Sequence, residues 1–212
     1  MEGEKKTTIN RALMEPSAKT TGIILAGGKN LRMGQNKAFI EVGGKRIIDR
    51  IRSIFSDLFA EVLLVTNSPL DYLDLNLRTV TDLCPDKGAL GGVYTGLFHA
   101  SHPYSFIAAC DMPFLNRALI SHLVALSPGF DIVIPKTEDG WQPLHAVYSR
   151  NCLPFMEDLL FEGNLKIIDF YYRVKKREVP TREILPFDPQ FLSFLNLNTP
   201  EDLARIQKLA QV

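Results

Sequence analysis

The stretch GIILAGGKNLRMGQNK, residues 22–37, passes from aliphatic side chains to a glycine pair and then to Lys29, Arg32 and Lys37. A glycine pair directly after a buried strand lets the backbone turn tightly and brings its N–H groups close to a ligand, as a phosphate cradle requires. By itself such a pair marks a turn; Arg32, a planar fork, and Lys37, a point charge, add groups suited to polyphosphate oxygens. The spacing is neither GxGxxG nor GxxxxGK[ST], so it fits neither the dinucleotide fingerprint nor the P-loop.

Further polar groups stand where apolar runs end: Asn67 after LLVT, Asp82 after TVT, and Asp111 in AACDMP. A carboxylate emerging from an uncharged strand is costly unless it meets solvent, a cation or hydrogen-bond donors. Mg²⁺ carrying nucleotide phosphates would satisfy Asp111, because that ion takes one or two carboxylates and shares the substrate's oxygens. The alternative is an Asp that caps the turn before Pro113 or the helix from Asn116, and Asp82 likewise reads as a turn residue. In PDKGALGGVYTGL, glycines allow close backbone approach to a flat ligand at Gly88, or of helix to sheet at Gly91 and Gly92.

The elements that must position these groups follow from the hydrophobic pattern. Short aliphatic runs at 22–26, 62–66, 79–82, 106–110 and 132–135 predict strands, separated by segments of helical period. Ile47, Ile48, Ile51, Ile54, Phe55 and Leu58 form one helix face, and further helices are expected at 90–100, 116–126, 153–161 and 165–172. In NTPEDLARIQKL, Thr199 is a cap, Pro200 holds the first helical position and Asp202 the third. Strands alternating with helices predict a three-layer α/β domain with a mostly parallel sheet and a binding crevice at the strands' carboxyl ends. Residues 1–20 are polar and without periodicity, which predicts a flexible tail.

Acidic and basic residues balance at 24 each, so any anion site is local and no global field attracts nucleic acid or a membrane surface. No apolar stretch approaches the roughly 20 residues needed to span a bilayer. Cys84, Cys110 and Cys152 have no zinc or disulfide spacing, which points to a reducing, cytoplasmic setting.

The segments LAGGKNLRMGQNK, GALGGVYTGL, AACDMPF, QPLHAVYSR and LNLNTPEDL stand in the order and spacing of the molybdenum cofactor guanylyltransferases. The chain resembles that family over nearly all of residues 21–210. The first motif is shared with sugar, cytidylyl and other guanylyl transferases. The resemblance implies a Rossmann-like nucleotidyltransferase fold, as a single domain over residues 21–212. It implies an enzyme whose partners are GTP and molybdenum-molybdopterin: GMP passes to the pterin's terminal phosphate, giving the guanine dinucleotide cofactor and pyrophosphate. Leu25, Ala26 and Gly27 would contact the nucleotide, Lys37 and Asp82 would bind GTP, and Asp111 would bind Mg²⁺ with the phosphates. Arg32, Lys37 and Asp111 would then carry the catalysis by offsetting charge. Molybdoenzymes or their chaperones would receive the product.

The acceptor side is less defined. His145, Asn196 and Asn198 are its candidates, with Trp141 as a stacking surface and Asn67 a loose match to a guanosine contact. His145 also reads as a core histidine, Asn198 as a lead-in to the Thr199 cap, and Lys175, Lys176 and Arg177 as a solvated basic run. Alternative readings are a cytidylyl- or other nucleotidyltransferase acting on molybdopterin or another phosphorylated acceptor, and a non-catalytic adaptor that keeps the nucleotide-binding fold.

Overall fold

The structure, a computed structural model, describes residues 19–27 and 36–211. The expected tail, through residue 18, and the loop that carries Lys29 and Arg32 lie outside the described residues. In chain order the strands are β1 (Thr20–Leu25), β2 (Glu41–Val42), β3 (Lys45–Arg46), β4 (Glu61–Val65) and β5 (Arg78–Val80). They continue as β6 (Tyr104–Ala109), β7 (Ile132–Thr137), β8 (Gly140–Trp141), β9 (His145–Ser149) and β10 (Lys176–Pro180). The helices are α1 (Ile47–Leu58), α2 (Gly88–His99), α3 (Arg117–Ala125), α4 (Leu153–Glu162), the single-turn α5 (Thr181–Ile184) and α6 (Pro200–Leu209).

Eight strands form one sheet in the spatial order β5, β4, β1, β6, β9, β7, β10, with β8 paired to β7. β5, β4, β1 and β6 are mutually parallel. β9 runs antiparallel to both β6 and β7, so β7 again points the same way as β6. β10 is parallel to β7. The carboxyl ends of β5, β4, β1, β6 and β7 therefore share one edge, as the alternation of runs predicts. β2 and β3 form a separate antiparallel ribbon.

β1 is buried at every residue because it is central and covered on both faces. Its alternating side chains divide the core: Ile24 joins Ile48, Ile51, Phe55, Leu119 and Ile120 beneath α1 and α3. Ile23 and Leu25 join Leu90, Val93, Leu97, Met156 and Leu159 beneath α2 and α4. The α2 face is set close against the sheet, since a Cβ on Gly96 would stand 2.7 Å from Ile23.

The expected helix at 165–172 is instead a 3₁₀ segment, Ile167–Arg173. Ile167 and Phe170 are buried three residues apart, the side-chain repeat of that tighter helix. The C-terminal helix starts as its sequence dictates: Thr199 and Asp202 form a reciprocal capping box, with Pro200 at the first position.

Candidate nucleotide-binding and metal site

The crevice edge begins where β1 ends. Ala26 stays in the ladder, its N–H donating to the Val65 carbonyl at 2.8 Å. Leu25 and Ala26 are buried, whereas Gly27 is exposed with open space where a Cβ would stand. Beyond residues 28–35, Asn36 caps a 3₁₀ turn (Lys37–Phe39) by accepting from Ala38 N. The Asn36 amide also donates to the Tyr72 hydroxyl at 2.8 Å, so the turn is fixed at two points. Its first residue is Lys37, only 5% exposed.

The Lys37 ammonium donates to Asn198 Oδ1 at 2.9 Å and stands 3.6 Å from Asp111 Oδ2. Asp111 lies two residues beyond β6, and Cys110 N still donates to the Leu25 carbonyl at 3.0 Å. The Asp111 carbonyl in turn accepts from Leu197 N at 2.9 Å, which clips the strand end to the segment preceding α6. Burial pushes the Asp111 carboxyl above its ordinary value, and the Lys37 charge works against that rise. A partly buried carboxylate held near one cation and open to the crevice is arranged to take a second cation or a charged ligand.

Asp82 follows β5 and forms a turn with Oδ1, which accepts from Cys84 N at 2.9 Å and from the Thr95 hydroxyl at 2.8 Å. Asp82 is therefore bonded to the middle of α2 through Thr95. Nearby Gly91 is a packing glycine, since a Cβ there would meet the Cys84 carbonyl at 2.7 Å. Gly88, at the helix start, has φ +60 and open space beside it. Asn67 is exposed just past β4.

Residues 22–175 match the family described as the MobA-like NTP transferase domain. The chain belongs to the MobA-like NTP transferase family. A molybdenum cofactor guanylyltransferase of Desulfosudis oleivorans is 40% identical over 88% of this chain and 94% of its own length. The crystal structure of molybdopterin-guanine dinucleotide biosynthesis protein A of Archaeoglobus fulgidus superposes with a TM-score of 0.79. It is 26% identical and covers 90% of this chain and 98% of that one. A Mycobacterium tuberculosis protein solved in complex with manganese shares the fold at a TM-score of 0.68 and 16% identity, covering 90% of this chain and 99% of that one.

In this MobA-like chain the crevice brings Lys37, Asp111 and Asn198 together, while Asp82 is engaged by Thr95 and Cys84. Arg32 lies outside the described residues. His145 is fully buried, its ring edge-on to Phe106 and Phe194 at 5.1 and 5.0 Å between centroids. Among the described residues neither ring nitrogen has a hydrogen-bond partner, and burial pushes its pKa down to about 3. It is a neutral core residue in this structure. Asn196 has a buried side-chain oxygen without a partner among the described residues. Trp141 is covered by Lys176, whose ammonium sits 4.0 Å from the ring centroid. The basic run is consumed locally: Lys176 pairs with Glu178, Arg177 with Glu183, and Lys175 lies over Phe130. Sequence reading did not find the anchoring role of Asn36, although an Asn just before Lys37 is a cap signal.

Proposed function

We propose that this family member transfers GMP from GTP to molybdenum-molybdopterin, releasing pyrophosphate. The observation that carries the reading is the Lys37 ammonium held 3.6 Å from Asp111 at the carboxyl ends of β1 and β6. The 40% identity to a molybdenum cofactor guanylyltransferase supports the choice of donor and acceptor. Leu25, Ala26 and Gly27 form the nucleotide-side wall, Gly27 offering backbone without a side chain. Gly88 keeps the start of α2 open to the base, and Asp82, buttressed by Thr95, is assigned to the nucleotide.

The donor set suits Mg²⁺ better than a metal that demands an all-protein cage. Among the described residues there is no group of three or more His, Cys, Asp or Glu side chains able to hold a metal. One partly buried carboxylate is what an ion shared with a triphosphate needs. Asp111 would hold it, and the ion would supply charge neutralisation at the phosphate oxygens.

Lys37 draws an α-phosphate oxygen toward the crevice and offsets charge that grows there. Asn198 accepts one ammonium hydrogen and so limits the directions available to the other two. Arg32 is assigned to the leaving pyrophosphate. The pterin's terminal phosphate is already a nucleophile at neutral pH, so the reaction needs alignment and charge compensation rather than a strong base. His145, buried and neutral, takes no part in proton transfer.

No helix among the described residues is long and apolar enough to cross a membrane. We assign the reaction to the cytoplasm, with its product passing to molybdoenzymes or their chaperones.

Pyrophosphate release by the purified protein, with Mg²⁺, molybdenum-molybdopterin and either GTP or CTP, tests the reading. Release with GTP and not CTP is expected. Release with CTP only would keep the fold and the ion but change the product, and release with neither would reject the acceptor.

A further inference from the structure

The contact between Lys37 and Asn198 joins residues 161 apart in the chain, and Asn198 is itself exposed. An exposed asparagine loses rotamer freedom to hold such a bond, so something must fix its backbone. Asp202 does so. Its Oδ2 accepts from both Asn198 N and Thr199 N, each at 2.9 Å, and Asp202 N donates to Thr199 Oγ1 at 3.2 Å. A capping box needs only the bond from Thr199 N and its reciprocal; the bond from Asn198 N lies outside that motif. One residue upstream, Leu197 N is fastened to the Asp111 carbonyl. Residues 197–199 are thus tied to the strand end on one side and to the Asp202 carboxylate on the other, with the Asn198 side chain projecting onto Lys37.

We propose that Asp202 is a positioning residue: by gripping the two backbone N–H groups it aims the Asn198 oxygen at Lys37 and sets where that ammonium stands relative to Asp111. The capping box thereby serves the crevice as well as the helix. The Asp202 carboxyl is held below its ordinary value, first by the Asn198 N–H bond and then by the Thr199 bonds, so the carboxylate form makes this grip at neutral pH. The consequence for GTP rests on the role assigned to Lys37 above; the placement of Lys37 does not.

Thr199→Ala is the matched control, because it removes the other half of the box and leaves the bond to Asn198 N in place. Loss of either half is expected to weaken the helix start and to lower the melting temperature by similar amounts. The direct readout is the ¹⁵N-detected ammonium signal of Lys37, assigned by its absence in Lys37→Ala. A hydrogen-bonded ammonium exchanges slowly enough to be seen. The signal should vanish or exchange at least about fivefold faster in Asp202→Ala and persist in Thr199→Ala. GTP binding without acceptor should weaken about tenfold in Asp202→Ala, as for loss of a charge-assisted contact, and less than about twofold in Thr199→Ala. Should Asp202→Ala not fold, Asp202→Asn keeps an acceptor oxygen without the charge and should still speed Lys37 exchange. An unchanged Lys37 signal in the Asp202 variants, or equal loss in Thr199→Ala, overturns the inference. Unaltered GTP binding in Lys37→Ala would instead reject the phosphate role of Lys37, leaving the exchange measurement to decide on Asp202.

Discussion

Lys37 and Asp111 are placed where neither is comfortable alone. Lys37 is nearly buried, and burial raises the carboxyl of Asp111 while the ammonium opposes that rise. Sites of this kind trade stability for charge that a ligand later uses. Asp111→Asn keeps the shape and removes the strained charge. It should lower kcat/KM for GMP transfer by about 10² or more and lower the melting temperature, because the nearly buried Lys37 ammonium loses its anion. Lys37→Ala should impair turnover as deeply and also lower the melting temperature, because it leaves the Asp111 carboxylate without its cation. Kinetics paired with calorimetry on both variants checks this; an Asp111→Asn protein that is stable and fully active would remove the site from the reaction.

Among the elements, β1 and α2 meet closely at the sheet and spread apart at the crevice, and their glycines divide accordingly. A methyl group on Gly96 would collide with Ile23, whereas one on Gly27 would meet nothing among the described residues. Gly96→Ala should therefore destabilise by about 1–3 kcal/mol, read from denaturant unfolding. Gly27→Ala should leave stability unchanged and raise KM for GTP, since only a nucleotide would feel the added methyl. Much of this layer is legible in the sequence: the five aliphatic runs become strands, and Thr199, Pro200 and Asp202 start the last helix as their types require. β10 is not legible, because KREVP spends three of its five residues on charges whose place in a strand depends on tertiary partners. Its Glu178 pairs with Lys136 of β7, a contact no local period encodes. The reversal of β9 is equally hidden, since alternation reports a strand but not its direction. At the crevice, types and strand-end positions mark Lys37 and Asp111, but nothing local says that Asn198 will stand beside them.

At the scale of the whole molecule, two titratable groups, partly buried Glu61 and buried His145, shape its response to acid. Glu61, at the start of β4, would be raised by burial alone. Bonds from Thr21 and Ser101, together with the Arg78 charge, bring it down from 4.5 to about 2. Its contribution, discounted for solvent screening, is present above pH 4.5 and lost as pH falls toward 2. His145 is also depressed, from 6.5 to about 3, but by burial. The unfolded chain takes up its proton first, so stability declines as pH falls from 6.5 toward 3. The melting temperature should be level above pH 7 and fall in two overlapping stages. His145→Leu should flatten the upper stage and Glu61→Gln the lower, as thermal unfolding across pH 2–8 would reveal; a wild-type curve level down to pH 4 would contradict the His145 assignment, and one with no further fall between pH 4 and 2 that of Glu61. The Lys37–Asn198 bond adds a matter of timing. Because its partners are separated by 161 residues, their encounter carries a large loop-closure entropy and nothing local can nucleate it. A chain emerging from the ribosome can assemble β1, α1 and β4 long before it has Asn198 to offer. The crevice is thus completed last during synthesis, and clipping near Thr199 would silence it while most of the sheet still stands.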